Sequence, residues 1–162
     1  MMALEMTASD SIIQLVDRVL SPYGFKRRKN TWYLDAPEII AVVDLQKSRW
    51  GQQFFLNLAF YLKSLGSERF PKENHCHARV RLSGLLDTAE SAKFDQALDL
   101  EDASFSESRR EEVIETALRR SGLPFLQAGR SLDALRTFLT EREVPSLFLT
   151  KEARSALANQ SN

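Results

Sequence analysis

The sequence predicts an α+β fold: an antiparallel sheet of about four to five strands, with an N-terminal helix and two to three C-terminal helices packed on one face. Three observations carry this. Apolar residues recur at helical spacing near the N-terminus, alternate with period two across residues 39–62, and return to helical spacing after residue 104. The 162 residues are read as a single domain, with helix over 8–21, antiparallel strands over 24–82 and helices over 104–158.

In "SDSIIQLVDRVLSPYGF", Ser9 and Asp10 offer capping oxygens, and Ile12, Ile13, Val16, Val19 and Leu20 form an apolar stripe. Pro22 and Gly24 end that helix. "FKRRKNTWYLD" then reads as a tight hairpin, with basic residues and Asn30 at the bend and Trp32 and Tyr33 on the return strand. "EIIAVVDLQKSRWGQQFFLNLAFYL" follows as two long strands.

The register of this second hairpin follows from its pattern. Ile39, Ala41, Val43 and Leu45 share one face of the first strand; Phe54, Leu56, Leu58, Phe60 and Leu62 share one face of the second. Opposed residues share a face, so Leu45 pairs with Leu56 and Val43 with Leu58. This parity requires a loop of two or four residues around Trp50 and Gly51, with Gly51 supplying a positive φ. Asp44, Gln46, Gln53, Phe55, Asn57 and Tyr61 fall on the other face.

"NHCHARVRLSG" reads as a fourth long strand, with Cys76, Ala78, Val80 and Leu82 towards the core and His75, His77, Arg79 and Arg81 displayed. Residues 87–102 hold six Asp/Glu and the single Lys93, as expected of a surface connection with a short helix. Ser104 or Ser108 begins the next helix, whose stripe is Val113, Ile114, Ala117 and Leu118, and Gly122-Leu123-Pro124 stops it. "SLDALRTFLTER" repeats the amphipathic pattern with Leu132, Leu135, Phe138 and Leu139, and a short helix starts from Thr150 before a fraying "ANQSN".

Composition narrows the function classes. One cysteine precludes an intramolecular disulfide and fits a reducing, cytoplasmic setting. The opening "MMALEMTASD" lacks the basic flank and apolar run of a secretory signal, and no apolar run suggests a membrane span. Net charge is zero, which argues against a dedicated polyanion binder. Residues 1–85 nevertheless hold 12 Lys/Arg and 8 Asp/Glu, and residues 86–162 hold 10 and 14, so the halves are about +4 and −4.

The displayed row His75, His77, Arg79, Arg81 admits several chemistries. Two histidines at alternate strand positions could reach one metal ion, but the row supplies no third nitrogen or sulfur ligand, and the arginines oppose a cation. Cys76, on the core face, is an inert thiol rather than a nucleophile. His77 with Asp44 and Glu38 could in principle serve acid–base chemistry, yet no P-loop, Gly-x-Ser-x-Gly, His-Glu-x-x-His or dinucleotide motif accompanies them. Residues 24–82 carry 11 Lys/Arg and 5 Asp/Glu among Tyr33, Trp50, Phe55 and Tyr61, a pattern compatible with single-stranded nucleic acid. No metal and no cofactor are expected.

"GFKRRKNTWYLD", "VVDLQKSRWGQQFFLNLAFYL" and "CHARVRLSGLL" together resemble a bacterial group, domain-of-unknown-function family 4304, over about residues 9–138. The shared features are Gly24-Phe25, Leu45-Gln46-Lys47-Ser48, the Trp50-Gly51 bend, Asn57, and Cys76-His77 with Arg79. The resemblance implies the α+β fold and points to the same hairpin face; it carries no catalytic residues with it.

The expected function is therefore a non-catalytic domain that binds a small anionic ligand or a protein partner. Its face comprises Gln46, Ser48, Trp50, Asn57, Tyr61, His75, His77, Arg79 and Arg81, with Lys47 at the rim. The alternatives are a hydrolase-like enzyme and a single-stranded nucleic-acid binder using that same face. On this reading His77→Ala or Arg79→Ala impairs binding and spares the fold.

Overall fold

The computed structural model describes residues 7–158, so the expectation of fraying falls almost wholly outside the described chain. Helix α1 spans Ala8–Leu20 and buries Ile12, Leu15, Val16, Val19 and Leu20. Its N-cap is Thr7 rather than Ser9. The Thr7 hydroxyl accepts from the Asp10 N–H while the Asp10 carboxylate accepts from the Thr7 N–H, a reciprocal capping box. Gly24, at φ 96°, closes the following 3-10 turn in the left-handed region that glycine adopts most readily.

Six strands follow in a simple antiparallel order: β1 Lys26–Arg28, β2 Thr31–Asp35, β3 Ile39–Lys47, β4 Phe54–Leu62, β5 Ala78–Arg81 and β6 Phe148–Leu149. The sheet thus exceeds the expected strand count by one, because a two-residue strand is too short to leave any periodic signal. Leu45 pairs with Leu56 and Val43 with Leu58, as the parity required. Ser48 N–H bonds to the Gln53 carbonyl at 2.8 Å, leaving a four-residue loop. The positive φ expected at Gly51 is absent. The only non-glycine with positive φ among the described residues is Lys29 (58°), in the two-residue turn between β1 and β2.

The core lies between one sheet face and the helices. Trp32, Val43, Leu58, Phe60 and Leu82 meet α1 and the later helices there. Trp32 is wholly buried, and its indole N–H donates to the Asp17 carboxylate at 3.0 Å, so the one polar atom of a large core ring is satisfied. Helix α2 (Thr88–Ala97) is more than a surface connection, since Phe94 and Ala97 are buried. Helix α3 (Glu107–Ala117) starts at Ser106, whose hydroxyl accepts from the Arg109 N–H; neither Ser104 nor Ser108 is the cap.

Gly122-Leu123-Pro124 does not stop that helix. The chain widens into a π turn over Leu118–Gly122 and continues as α4 (Leu123–Ala128), with Pro124 in its first turn. A proline ring crowds the carbonyl four residues earlier, and widening the turn relieves that contact. Helices α5 (Leu132–Glu141) and α6 (Lys151–Ala158) complete the layer.

The strand expected over residues 75–82 is the largest departure. Glu73–His75 is a 3-10 turn, β5 covers only Ala78–Arg81, and Leu82–Leu85 is again a 3-10 turn. Cys76 does not join the main core. It is buried on the opposite sheet face with Ile40, Val42, Ala59 and Tyr61. The turn ending at Cys76, whose N–H bonds to the Glu73 carbonyl, delays the chain's entry into the sheet, so alternation counted back from Ala78 misplaces it.

Candidate functional site

The sheet face away from the helices divides into two parts. In one, Ile40, Val42, Ala59 and Tyr61 are buried beneath the segment that returns from β4 to β5, residues 63–77. In the other, a polar row crosses four strands in register: Thr31 opposite Asp44, Asp44 opposite Asn57, and Asn57 opposite Arg81.

The returning segment is held by side chains that alternation marked as displayed. The Tyr61 hydroxyl accepts the Glu68 N–H at 3.1 Å, and His75 Nδ1 lies 3.2 Å from Glu68 Oε1. Arg79 donates to both Glu73 oxygens, Nε at 2.8 Å and Nη2 at 3.1 Å, a bidentate clamp. His77 packs against Tyr61 with ring centroids 4.7 Å apart, and its Nδ1 accepts the Leu62 N–H at 2.9 Å. At the far end Phe70 meets Tyr33 edge-on at 5.5 Å, and the Arg28 guanidinium lies 3.9 Å from the Phe70 ring centre.

These contacts constrain the His77 ring. With Nδ1 accepting an amide proton, the neutral ring carries its own proton on Nε2, and further protonation would have to displace the Leu62 bond. Burial pulls the imidazole below its ordinary value of 6.5, against the opposing charges of Glu152 and Glu68. The carboxylates considered as partners lie elsewhere. Asp44 accepts from the Thr31 hydroxyl at 2.7 Å, and Glu38 accepts the Leu132 N–H at the start of α5 at 3.1 Å. His75 and His77 do not form an alternate-strand pair, since His75 lies in the 3-10 turn.

Four of the nine expected residues, Gln46, Asn57, Arg79 and Arg81, line one open basin of about 210 Å³. Glu73, Ser146 and Phe148 line it too and were not foreseen. Glu73 and Phe148 reach it through the returning segment and the two-residue β6, neither of which carries a periodic signal. The Asn57 amide, 5 % exposed, donates to Gln46 Oε1 at 2.9 Å and so fixes the orientation of both amides.

The Arg81 guanidinium lies over the Phe55 ring at 3.9 Å. Its charge also reaches Asp95, whose carboxyl burial pushes up and Arg81 pulls back down. Burial likewise raises the Asp44 carboxyl above its ordinary 3.8, partly offset by the Thr31 hydroxyl.

The remaining expected residues stand apart from the basin. Tyr61, His75 and His77 hold the returning segment. Ser48 accepts the Trp50 N–H at 3.1 Å inside the hairpin turn, and Trp50 at its tip is 93 % exposed. Both His77 and Arg79 have structural partners as well: the His77 ring bonds to the Leu62 backbone, and Arg79 bonds to Glu73 of the returning segment.

A six-stranded antiparallel meander covered by helices on one face, with a polar row and a clamped segment on the other, defines this as an α+β protein. The family described as "Domain of unknown function (DUF4304)" matches residues 16–128, and the chain belongs to it. No curated protein and no solved structure matches the chain.

Proposed function

We propose that this chain is a non-catalytic binding domain whose sheet face captures a carboxylate-bearing segment of a protein partner. The observation that carries the proposal is the convergence of Gln46, Asn57, Arg79 and Arg81 in one open basin on paired strands. Arg81 lies along Phe55 and has no ion-pair partner among the described residues, so its charge is positioned without being neutralised in a salt bridge. At about 210 Å³ the basin is small and open to solvent. Small-molecule pockets run to roughly 300–1,000 Å³, so a shallow polar basin suits one or two side chains of a larger partner.

The engaged Nδ1 of His77 weighs against a hydrolase-like enzyme built on that residue. We also propose that residues 1–162 act as one domain in the cytoplasm, a reading supported by the continuous main core and the lone cysteine. Among the described residues no helix is long and apolar enough to cross a membrane.

An amide-correlation titration of the isotope-labelled protein with a glutamate-rich hexapeptide tests the reading. Saturable shifts at Gln46, Asn57 and Arg81, abolished in Arg81→Ala, are expected. Shifts that map elsewhere, or an absence of shifts, overturn it. Tighter, salt-sensitive binding of a single-stranded oligonucleotide through the same residues would replace the protein partner with nucleic acid.

A further inference from the structure

A second concavity, about 550 Å³, opens where β2 and the start of β3 meet the returning segment. No part of it belongs to the basin. Tyr33 and Ile40 supply its floor from the sheet face, and Gly66, Glu68, Arg69 and Phe70 supply the opposite wall. Its volume lies within the roughly 300–1,000 Å³ typical of pockets that enclose small molecules.

Its shape is built in rather than incidental. Phe70 stands edge-on to Tyr33 and has the Arg28 guanidinium 3.9 Å from its ring centre, so a ring that is 53 % exposed has two side-chain neighbours holding it in place. The wall is pinned by the Glu68 N–H to the Tyr61 hydroxyl. Rings fixed before a ligand arrives cost little ordering on binding.

The charges at the mouth select the ligand. Asp35 is paired with Lys63, and the Glu68 carboxylate is shared with His75. Lys26 and Arg69 also line the cleft, and among the described residues neither has an ion-pair partner. Two unpaired cations therefore face an aromatic and aliphatic slot whose carboxylates are already engaged.

We propose that this cleft binds a small anion carried on a flat apolar body, the ring lying against the joined Tyr33–Phe70 pair and Ile40 and the anionic group between Lys26 and Arg69. Carboxylate and phosphate share this chemistry, since both accept from an ammonium and a guanidinium. The flat body separates such a ligand from a free inorganic ion. This site stands independently of the basin at Arg81, and each can fail without the other.

The test is calorimetry and amide-correlation titration of the full chain with four probes: phenyl phosphate, benzoate, inorganic phosphate and benzyl alcohol. Phenyl phosphate or benzoate should give saturable binding that shifts Tyr33, Gly66, Glu68 and Phe70. Inorganic phosphate and benzyl alcohol should each bind at least tenfold more weakly, the first lacking the ring and the second the charge. Whichever aryl anion binds more tightly identifies the anionic group.

Lys26→Ala and Arg69→Ala lie at exposed positions and should each weaken the aryl anion about tenfold, the equivalent of about 1.4 kcal/mol, while Arg81→Ala leaves it unchanged. Absence of saturation by either aryl anion, equal binding of inorganic phosphate, or indifference to both cation substitutions overturns the proposal.

Discussion

Tyr61 and Gly66 meet with no room to spare: a Cβ on Gly66 would lie 1.9 Å from the Tyr61 hydroxyl oxygen. The backbone at Gly66 is extended, so the need for glycine there is one of space and not of conformation. The same hydroxyl accepts the Glu68 N–H, which makes Tyr61 the post against which the wall of the cleft is set.

Gly66→Ala should therefore push the returning segment off the sheet. A cost of about 1–3 kcal/mol is expected, as for other overpacked contacts. Hydrogen exchange at the Glu68 amide would rise while exchange in β3 and β4 stays slow. Unchanged protection at Glu68 would show that Tyr61 moves aside instead.

His77 makes stability depend on pH in a definite direction. Its folded-state value lies below the ordinary 6.5, so the unfolded chain binds the proton more readily. The contribution of the neutral ring is complete above about 6.5 and is lost as pH falls from there towards the folded value. His77→Phe removes the acceptor of the Leu62 N–H and should cost about 1–3 kcal/mol at pH 8. Denaturant unfolding across pH should show the gap between wild type and variant narrowing below pH 6.5; Asp44, whose raised carboxyl titrates in both proteins, cancels in that difference.

Cys76 should be unreactive in the native state. Burial, followed by the nearby Glu73 charge, pushes its thiol up to about 12, and the side chain is 2 % exposed. Iodoacetamide at pH 8 should leave the folded protein unmodified and label it fully in guanidinium. Rapid native labelling would mean that the returning segment opens often.

Arg110 holds the acid-rich connection after α2. Its guanidinium donates to the carbonyls of Ala97, Asp99 and Asp102, with the side chain 6 % exposed. Arg110→Met keeps the apolar stem and removes the donor to three carbonyls, of which, among the described residues, only that of Asp99 keeps a backbone partner, the Asp102 N–H, with an expected loss of about 2–3 kcal/mol. The thermal midpoint should fall by about 4–12 °C for a chain of this size.

Local pattern was informative wherever a single element faced one layer. The alternation of Val43 and Leu45 against Leu56 and Leu58 placed the central hairpin in its observed register. It was less informative at turns, where the positive φ falls on Lys29 and not on Gly51. It also mislocated Cys76, because a 3-10 turn resets the count.

The covered second face of the sheet also has a signal in the sequence. "IIAVV" and "LAFYL" are unbroken apolar runs, and a strand that is apolar on both faces is covered on both. Ile40, Val42 and Ala59 are buried for that reason.

The sequence by itself determined the α+β order of elements, the helix-facing side of the sheet and the pairing of its longest strands, because each follows from spacing within a few residues. Which displayed side chains stay available was decided only in three dimensions. Tyr61, His75, His77 and Arg79 share the displayed side by pattern, yet the fold engages all four: Tyr61 and Arg79 bond to the returning segment, His75 to Glu68 within it and His77 to the Leu62 N–H, while Arg81 has no ion-pair partner among the described residues. That segment carries no periodicity of its own, and its contacts reach across the sheet to Arg28 and Tyr33, so only the folded chain brings its partners within bonding distance.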